Sequence, residues 1–415
     1  MLTPNLSNQI SRNVIWLLSG QIGVKLLGFL FTIFLARELG PALYGVYFYS
    51  LTLFGIVSAL TDLGLARLVF RDLSVDDKRT QNYLTGIVAL SAAVTFPLII
   101  LIIVLISLID RNYNRTLIAS IMLVAVLPYT LGSIFASILN AQEKMKLTAL
   151  ATFLLNLIFI MLAVLLLSFN LSVLGVAFAF SLAHFIYLVF LYKQVRLNKD
   201  LAIQINVTYW QSTLKRSLPY GILAALGLVY FRMDSIILTL MKGEVVTGYY
   251  GAAFRFLDAI HIIPLTIMTA FFPKMARLHQ VSVLNLKKLY FKILILMVCL
   301  AVPVTFILFF GASLVIKTLY GNEFANSVIA LKILSFTTIF MFLHVPGAHL
   351  LFASEKNLGK VIFLSFFTVG FNILGNILFI PTYGLVASSV MTLLSEALSF
   401  LVFFLLIWFK VFKQK

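Results

Sequence analysis

Eight charged side chains interrupt the long apolar stretches of this sequence, and their chemistry makes them the candidate functional residues. They are Lys25, Asp62, Arg232, Asp234, Arg255, Asp258, Lys332 and Glu396. A charged group is costly in apolar surroundings unless it is paired, so such residues usually face an interior or a water-filled cavity. Ion pairing, anion binding and proton transfer are the chemistries that these residue types can supply.

The densest group consists of Arg232, Asp234, Arg255 and Asp258. Arg255 and Asp258 are three residues apart and would be neighbours on one helix face. Arg232 and Asp234 are two residues apart and would point away from each other. The spacing therefore predicts a cross-helix pair of Asp234 with Arg255 and leaves Arg232 open to a ligand. In the alternative interpretation, Asp234, Arg255 and Asp258 only lock two neighbouring helices together.

Lys25 shares one property with Arg232, because neither cation has an acidic residue at helical spacing with which it would form a pair. A cation in a cavity implies an anionic ligand. The guanidinium fork of an arginine is well suited to phosphate, since it can bind two oxygens at once.

The carboxylates allow two interpretations, ion pairing and ion coupling. Glu396 has small and apolar neighbours, so it could carry a coupling proton or bond a neighbouring helix as a neutral acid. Asp62 lies five residues before Arg67, near the end of its apolar stretch, and is expected at a boundary. Asp234 and Asp258 are the candidates for ion pairs. Asp62, Asp258 and Glu396 all remain possible carriers of a coupling ion.

The elements that position these residues are membrane helices. Apolar residues make up 62% of the chain and charged residues 11%, whereas about 25% of a soluble domain is charged. A spanning helix needs about 20 apolar residues. Twelve continuously apolar runs satisfy this requirement, at about 12–36, 43–66, 81–108, 116–140, 147–168, 172–194, 215–241, 245–273, 287–311, 326–353, 358–380 and 383–409. The sequence therefore predicts an all-α membrane protein with about twelve transmembrane helices.

The net charge of +17 follows the predicted topology. If the N-terminus is cytoplasmic, most loop lysines and arginines lie on the cytoplasmic side, and the other side has only Arg37, Arg111, Arg115, Lys242 and Lys317. This bias obeys the positive-inside rule and predicts that both termini are cytoplasmic. The basicity is thereby explained without nucleic acid as a partner.

Two sets of residues recur at about half the chain length. Gly40, Gly45 and Tyr47 correspond to Gly243, Gly248 and Tyr250, and the segment from Ala136 to Lys144 corresponds to that from Ala348 to Lys356. Such repetition predicts two parallel six-helix bundles, residues 1–206 and 207–415. Tyrosines near the repeated glycines are expected in an aromatic belt at the membrane boundary; they are Tyr44, Tyr47, Tyr49, Tyr249 and Tyr250.

The motifs of several enzyme classes are missing. The sequence has no Walker glycine loop, no H-E-x-x-H or other metal-ligand spacing, and no Ser-His-Asp set on one face. Cys299 is the only cysteine, which excludes a disulfide framework. We therefore expect no cofactor, no metal and no enzymatic activity.

Several short motifs give the chain a family resemblance. They are Asn13-Val-Ile-Trp16, Ala36-Arg-Glu-Leu-Gly-Pro41 with Tyr44-Gly45, Arg232-Met-Asp234-Ser-Ile-Ile-Leu238, Val246-Thr-Gly-Tyr-Tyr250, Phe371-Asn-Ile373 and Ile380-Pro-Thr-Tyr-Gly384. From about residue 8 to 405 the chain resembles the polysaccharide-biosynthesis family of Wzx-type O-antigen flippases. That family shares a superfamily with the multidrug and toxin extruders (MATE) and the lipid II flippases.

The resemblance implies a V-shaped, MATE-like pair of bundles that works by alternating access. The substrate would be a polyprenyl-diphosphate-linked oligosaccharide, the repeat unit of an O-antigen, capsule or exopolysaccharide, moved from the cytoplasmic to the outer leaflet of the cell membrane. Lys25, Arg232 and Arg255 would be the cavity cations that bind it. The implied partners are the lipid-linked oligosaccharide, the bilayer, and a polysaccharide polymerase or export machinery.

Two alternatives remain at the level of sequence. A multidrug or cation antiporter would share the bundles, but it would need acidic cavity residues where the best candidates are basic. A membrane-embedded polysaccharide polymerase would usually need a large outer loop, and the predicted outer loops are short.

Overall fold

The computed structural model describes residues 4–75, 80–110, 112–196, 207–352 and 358–412, and nearly all of them are helical. Because hydrocarbon offers no hydrogen-bond partner to the backbone, a spanning chain must satisfy its backbone groups within helices. The elements are α1 Pro4–Asp62, α2 Leu65–Val75, α3 Thr80–Ile109, α4 Tyr113–Val124, α5 Val126–Ala141, α6 Met145–Ser168, α7 Ser172–Arg196, α8 Val207–Lys242, α9 Glu244–Ile260, α10 Ile262–Val281, α11 Val283–Leu319, a 3-10 turn Asn322–Phe324, α12 Ser327–Phe352, α13 Leu358–Tyr383 and α14 Leu385–Ile407.

Within the described residues, eleven helical segments are long and apolar enough to cross a membrane. The first of them, Gly23–Asp62, contains parts of two of the twelve predicted spans. It is interrupted at Gly40, whose backbone is not helical (φ 69°, ψ 173°). The predicted set of about twelve spans is therefore confirmed, with the first two joined through a break.

The chain forms two compact units. The first comprises residues 1–32 and 46–228, and the second comprises residues 33–45 and 229–415. The predicted boundary at 206/207 falls at the edge of a segment outside the described residues and stays a prediction. The end of the second repeated segment, with Glu355 and Lys356, also lies outside the described residues.

The first unit has an apolar core formed by α2, α3, α5 and α7. Leu65, Ile87, Ile134 and Leu191 are fully buried in it. Helix α2 contributes one apolar face, with Leu65, Leu68, Val69 and Leu73 buried. The side chain of Asp62 accepts hydrogen bonds from the backbone N–H groups of Gly64 and Ala66, at 3.1 and 3.4 Å. Asp62 therefore satisfies free amide groups at the start of α2.

A buried ion pair joins Asp110, which directly follows α3, to Arg115 in the first turn of α4. Nε of Arg115 donates to Oδ2 of Asp110 at 2.6 Å, and Nη2 donates to Oδ1. The side chains are 9% and 1% exposed, and the guanidinium also lies over the Tyr49 ring, 5.7 Å from its centroid. Arg115, which the sequence places among the loop charges, is buried and paired in the structure.

We expect Arg115→Met to destabilise the protein by about 3–5 kcal/mol, because it leaves the buried Asp110 carboxylate without its cation. Arg71→Met is the matched control, since the Arg71 side chain is 49% exposed in its ion pair with Asp72. The control should cost less than about 1 kcal/mol. Thermal unfolding of the detergent-solubilised variants measures both, and equal losses would contradict the structural role of the Asp110–Arg115 pair.

The repeated glycines occupy equivalent positions in the second unit. Gly40 and Gly243 both have left-handed φ angles, 69° and 82°, which glycine adopts without a steric penalty. Gly45 and Gly248 then lie against each other's segments: a Cβ on Gly45 would be 1.8 Å from the Glu244 carbonyl oxygen, and one on Gly248 would be 2.0 Å from that of Pro41. Because Gly45 and Gly248 have no side chain, the chain after the Gly40 break and the start of α9 can cross with their backbones in contact.

The prediction of an aromatic belt is wrong for Tyr44, Tyr47, Tyr49 and Tyr250, which are buried, and stays a prediction for Tyr249, which is partly exposed. Tyr44, Tyr49 and Tyr250 are 0%, 1% and 0% exposed. In the second unit, Tyr44 packs edge-on against Phe324, with ring centroids 5.8 Å apart. Belt residues face the lipid–water boundary, whereas these three side chains are buried within the protein.

Candidate functional site

Arg232 on α8 and Asp258 on α9 form the central ion pair of the second unit. Nη2 of Arg232 donates to both carboxylate oxygens of Asp258, at 3.0 and 2.8 Å. On the same helix face as Asp258, Arg255 brings Nη1 to 3.8 Å from Oδ2. Two guanidinium groups therefore approach one carboxylate. We call Arg232, Arg255 and Asp258 the arginine cluster.

The arginine cluster is only partly buried and lies in the second half of α8 and of α9. The three side chains are between 17% and 22% exposed. At 1.5 Å per residue, Arg232 lies about 15 Å from the Lys242 end of α8, which is half the thickness of a bilayer core of about 30 Å. The guanidinium of Arg232 also lies over the Phe254 ring, at 5.2 Å from the centroid. The arginine cluster is therefore a candidate anion-binding group within two segments that are long and apolar enough to cross a membrane.

The predicted pair of Asp234 with Arg255 is wrong. The Oδ2 atom of Asp234 accepts hydrogen bonds from the hydroxyls of Tyr250 and Thr392, the second at 3.1 Å. Its Oδ1 atom accepts from the backbone N–H of Ser235 at 2.7 Å. Asp234 is 1% exposed, so hydroxyl and amide donors stabilise its carboxylate. The prediction failed because it matched charges and did not consider neutral donors.

The expectation that Arg232 is open to a ligand also needs correction. Arg232 is occupied by Asp258 rather than unpaired, and the predicted neighbour Arg255 joins the same carboxylate at a longer distance. A ligand would therefore have to compete with Asp258 for the arginine fork.

Glu396 on α14 lies in a second polar group of the same unit. Its side chain is 2% exposed, and Oε2 lies 3.6 Å from Nδ1 of His344 on α12. Tyr230 on α8 hydrogen-bonds to Glu396 and also accepts a hydrogen bond from the Ser399 hydroxyl at 3.2 Å. The His344 ring stacks on Phe403, with centroids 5.0 Å apart. We call Glu396, His344 and Tyr230 the Glu396 group.

Sequence reasoning missed His344, Tyr230, Tyr250 and Thr392. One signal was present on α14, where Ser388, Thr392, Glu396 and Ser399 recur at intervals of four, four and three residues. Such spacing places them on one helix face. A stripe of polar residues in an otherwise apolar span indicates a buried polar interface, and it would have pointed to Thr392, one of the partners of Asp234.

Lys25 and Asp62, the remaining predicted residues, both belong to the first unit. Lys25 is exposed on α1. Asp62 serves as the capping residue described above. In the part of the chain that the structure describes, no group of three or more His, Cys, Asp and Glu side chains could hold a metal ion.

A basic cluster lies on α2, which is not among the candidate spans of the described chain, and on the first part of α8. The carboxylate of Asp72 pairs with both Arg71 and Arg216. Arg67 and Arg71 lie over the Tyr220 ring, at 5.2 and 6.0 Å from its centroid. Although partial burial acts to lower the pKa of Arg71, its hydrogen bond to Asp72 outweighs this and the pKa is raised. The cluster therefore contains three arginines and one carboxylate, and its net charge is positive at physiological pH.

A family model described as polysaccharide biosynthesis protein matches residues 10–279, which is more than half of the chain. The chain belongs to the polysaccharide biosynthesis protein family. A relative in Shigella flexneri, named "Putative O-antigen transporter", is 25% identical over 350 residues, which cover 78% of this chain and 80% of the relative. The family resemblance found in the sequence is thereby confirmed.

Solved structures of the MOP superfamily have the same fold as this family member. The lipid II flippase MurJ in an inward closed conformation superposes with a TM-score of 0.75 at 16% identity, covering 95% of this chain and 87% of that structure. A multidrug resistance MATE family transporter in an inward-facing conformation gives a TM-score of 0.72 at 16% identity, covering 94% and 96%. The predicted all-α, MATE-like membrane fold is confirmed. These proteins are transporters and flippases, so the expectation that the chain is not an enzyme is also confirmed.

Proposed function

We propose that this polysaccharide biosynthesis family member is a flippase for a polyprenyl-diphosphate-linked oligosaccharide, the repeat unit of an O-antigen, capsule or exopolysaccharide. The observation that carries the proposal is the arginine cluster, with two guanidinium groups at one carboxylate on two apolar segments that are long enough to span a membrane. Family membership and the O-antigen relative support the same substrate class.

The physical reason for the arginine cluster is the charge of the substrate. A diphosphate that carries sugars cannot cross hydrocarbon unaided, because an unpaired charge in a medium of low dielectric constant costs many kcal/mol. Arginine forks within the spanning segments would replace the hydration of the phosphate oxygens with charge-assisted hydrogen bonds. The polyprenyl chain would remain in the lipid while the head group crosses.

In the proposed cycle, two six-helix bundles of about residues 1–206 and 207–415 alternate between access to the two leaflets. Arg232 and Arg255 bind the diphosphate, and Lys25 provides a further cation. The surplus of lysine and arginine in the loops assigned to the cytoplasm supports a cell-membrane location with both termini in the cytoplasm. The flipped substrate would then be delivered to a polysaccharide polymerase or export machinery.

The test is leaflet translocation by purified protein in proteoliposomes. The substrate is a fluorescent polyprenyl-diphosphate oligosaccharide, and a membrane-impermeant quencher reports the fraction in the outer leaflet. We expect the wild type to equilibrate this lipid between leaflets at least tenfold faster than protein-free vesicles. A parallel assay measures efflux of a fluorescent organic cation. Cation efflux without lipid translocation would overturn the proposal and favour a multidrug extruder.

A further inference from the structure

We propose that α2 and the first part of α8 form a binding site for the head group of an anionic phospholipid of the bilayer. The site is the basic cluster of the first unit, which consists of Arg67, Arg71, Asp72, Arg216 and Tyr220. The ligand is a lipid of the surrounding membrane rather than the transported substrate. The inference therefore does not rest on the proposed function.

Helix α2 has one buried face and one exposed face. The exposed positions are Arg67, Phe70, Arg71, Ser74 and Val75. At 100° per residue they fall on one side of the helix, with the two arginines near its middle and Phe70 and Val75 at its edges. Phe70 and Val75 are 41% and 87% exposed. The face therefore combines cations with apolar side chains, as helices that contact a membrane surface do.

The sequence of α8 places the cluster near the level of the lipid head groups. α8 has 36 residues, which is about 54 Å at 1.5 Å per residue, whereas a bilayer core is about 30 Å thick. Its first part is polar up to Lys215, Arg216 and Ser217, and the stretch from Leu218 to Phe231 has no charged residue. The change from polar to apolar sequence thus occurs beside Arg216, where lipid phosphates are expected.

A close backbone crossing fixes α2 against α8. A Cβ on Gly64 would lie 2.6 Å from the amide nitrogen of Gly221. Tyr220 is next to this crossing, and the guanidinium groups of Arg67 and Arg71 lie over its ring. Nη1 of Arg71 also donates to the Tyr220 hydroxyl at 3.2 Å. The arginines are thus held in place before a ligand binds, which lowers the entropy cost of binding.

The charges of the cluster favour a phosphate ester. Asp72 pairs with Arg71 and Arg216, and its side chain is 8% exposed, whereas theirs are 49% and 47% exposed. The arginine side chains therefore remain accessible, and a guanidinium fork fits phosphate oxygens. A free phosphate ion would use only the arginines. A phospholipid would also cover Phe70 and Val75 with its acyl chains, so the surface fits a lipid better.

The experiment measures phospholipid binding to the purified protein in a neutral detergent by native mass spectrometry. Phosphatidylglycerol should bind to the wild type about tenfold more tightly than phosphatidylcholine with the same acyl chains. In the double variant Arg71→Gln and Arg216→Gln, the affinity for phosphatidylglycerol should fall about tenfold to thirtyfold, since each basic residue near an anionic lipid contributes about fivefold. Lys288→Gln with Lys292→Gln is the matched control, because it removes two exposed cations from α11.

Two further variants separate lipid binding from a structural role of the ion pairs. Asp72→Asn removes the partner of Arg71 and Arg216 but keeps both cations. If the arginines only hold α2 to α8 through Asp72, this variant should also lose the preference for phosphatidylglycerol. If they bind lipid, it should bind phosphatidylglycerol at least as tightly as the wild type. Arg67→Gln leaves the Asp72 pairs in place and should lose about fivefold in affinity.

Competition identifies the source of the phosphate group. Inorganic phosphate at the lipid concentration should leave phosphatidylglycerol bound, because it lacks the acyl chains. Displacement by inorganic phosphate, or by a polyprenyl-diphosphate oligosaccharide, would overturn the assignment to a bilayer lipid. Equal affinities of the wild type and the Arg71→Gln, Arg216→Gln variant for phosphatidylglycerol would do so as well. None of these measurements involves transport, so their outcome is distinguishable from that of the translocation assay.

Discussion

Replacing Arg232 with alanine is expected to reduce translocation of the lipid-linked oligosaccharide by about tenfold to a hundredfold. The variant loses the fork that would hold two phosphate oxygens, and removing one partner from a desolvated charge pair costs about 2–5 kcal/mol. The lower part of that range applies because the Arg232 side chain is 19% exposed. Arg232→Lys should be intermediate, since it keeps the charge and loses the bidentate geometry.

The decisive control is Asp258→Asn. This variant breaks the same ion pair but leaves Arg232 and Arg255 in place. If Arg232 only locks α8 to α9, both variants should be impaired to a similar degree. If Arg232 binds the diphosphate, Asp258→Asn should retain translocation and bind the lipid-linked diphosphate more tightly, because the competing carboxylate has gone. Lys332→Ala removes an exposed cation from α12 and should have little effect.

The helices, and the charged residues that lie within them, were predictable from sequence because both follow from local patterns. Continuous apolar runs predicted the spans, and the three-residue spacing of Arg255 and Asp258 correctly placed them as neighbours on one helix face. The repeat of Gly40 as Gly243 indicated a shared local structure, and both residues break a helix with left-handed φ angles.

The pairing across helices was not predictable in the same way. Which residue faces Asp234 depends on helix rotation and on neutral donors such as Tyr250 and Thr392, which lie 16 and 158 residues away in sequence. The partner of Glu396 is likewise set by the packing of α12 against α14. Local spacing shows which residues share a helix face but not which residue of another helix that face meets, so matching charges gave the wrong partner for Asp234.

The crossing of Gly45 and Gly248 leads to the second large expected effect, which is on stability. Gly248→Ala should lower the free energy of unfolding by at least about 3 kcal/mol, at or beyond the upper end of the usual cost of overpacking. The added Cβ would lie 2.0 Å from the carbonyl oxygen of Pro41 and 3.3 Å from the amide nitrogen of Gly45. Both atoms are backbone, so no side-chain rotation can relieve the contact.

Gly227→Ala is the matched control for this crossing. Gly227 lies within α8, and a Cβ there would have nothing within 4 Å. Alanine in an open helical position is expected to stabilise by about 0.5–1 kcal/mol, because glycine loses more conformational entropy on folding. Thermal unfolding in detergent and the yield of monodisperse protein measure both variants. Similar unfolding temperatures for Gly248→Ala and wild type would mean that the two helix starts do not cross at backbone contact. A large loss confined to Gly248→Ala would show that the repeated glycines are required by the crossing as well as by the φ angles of the breaks.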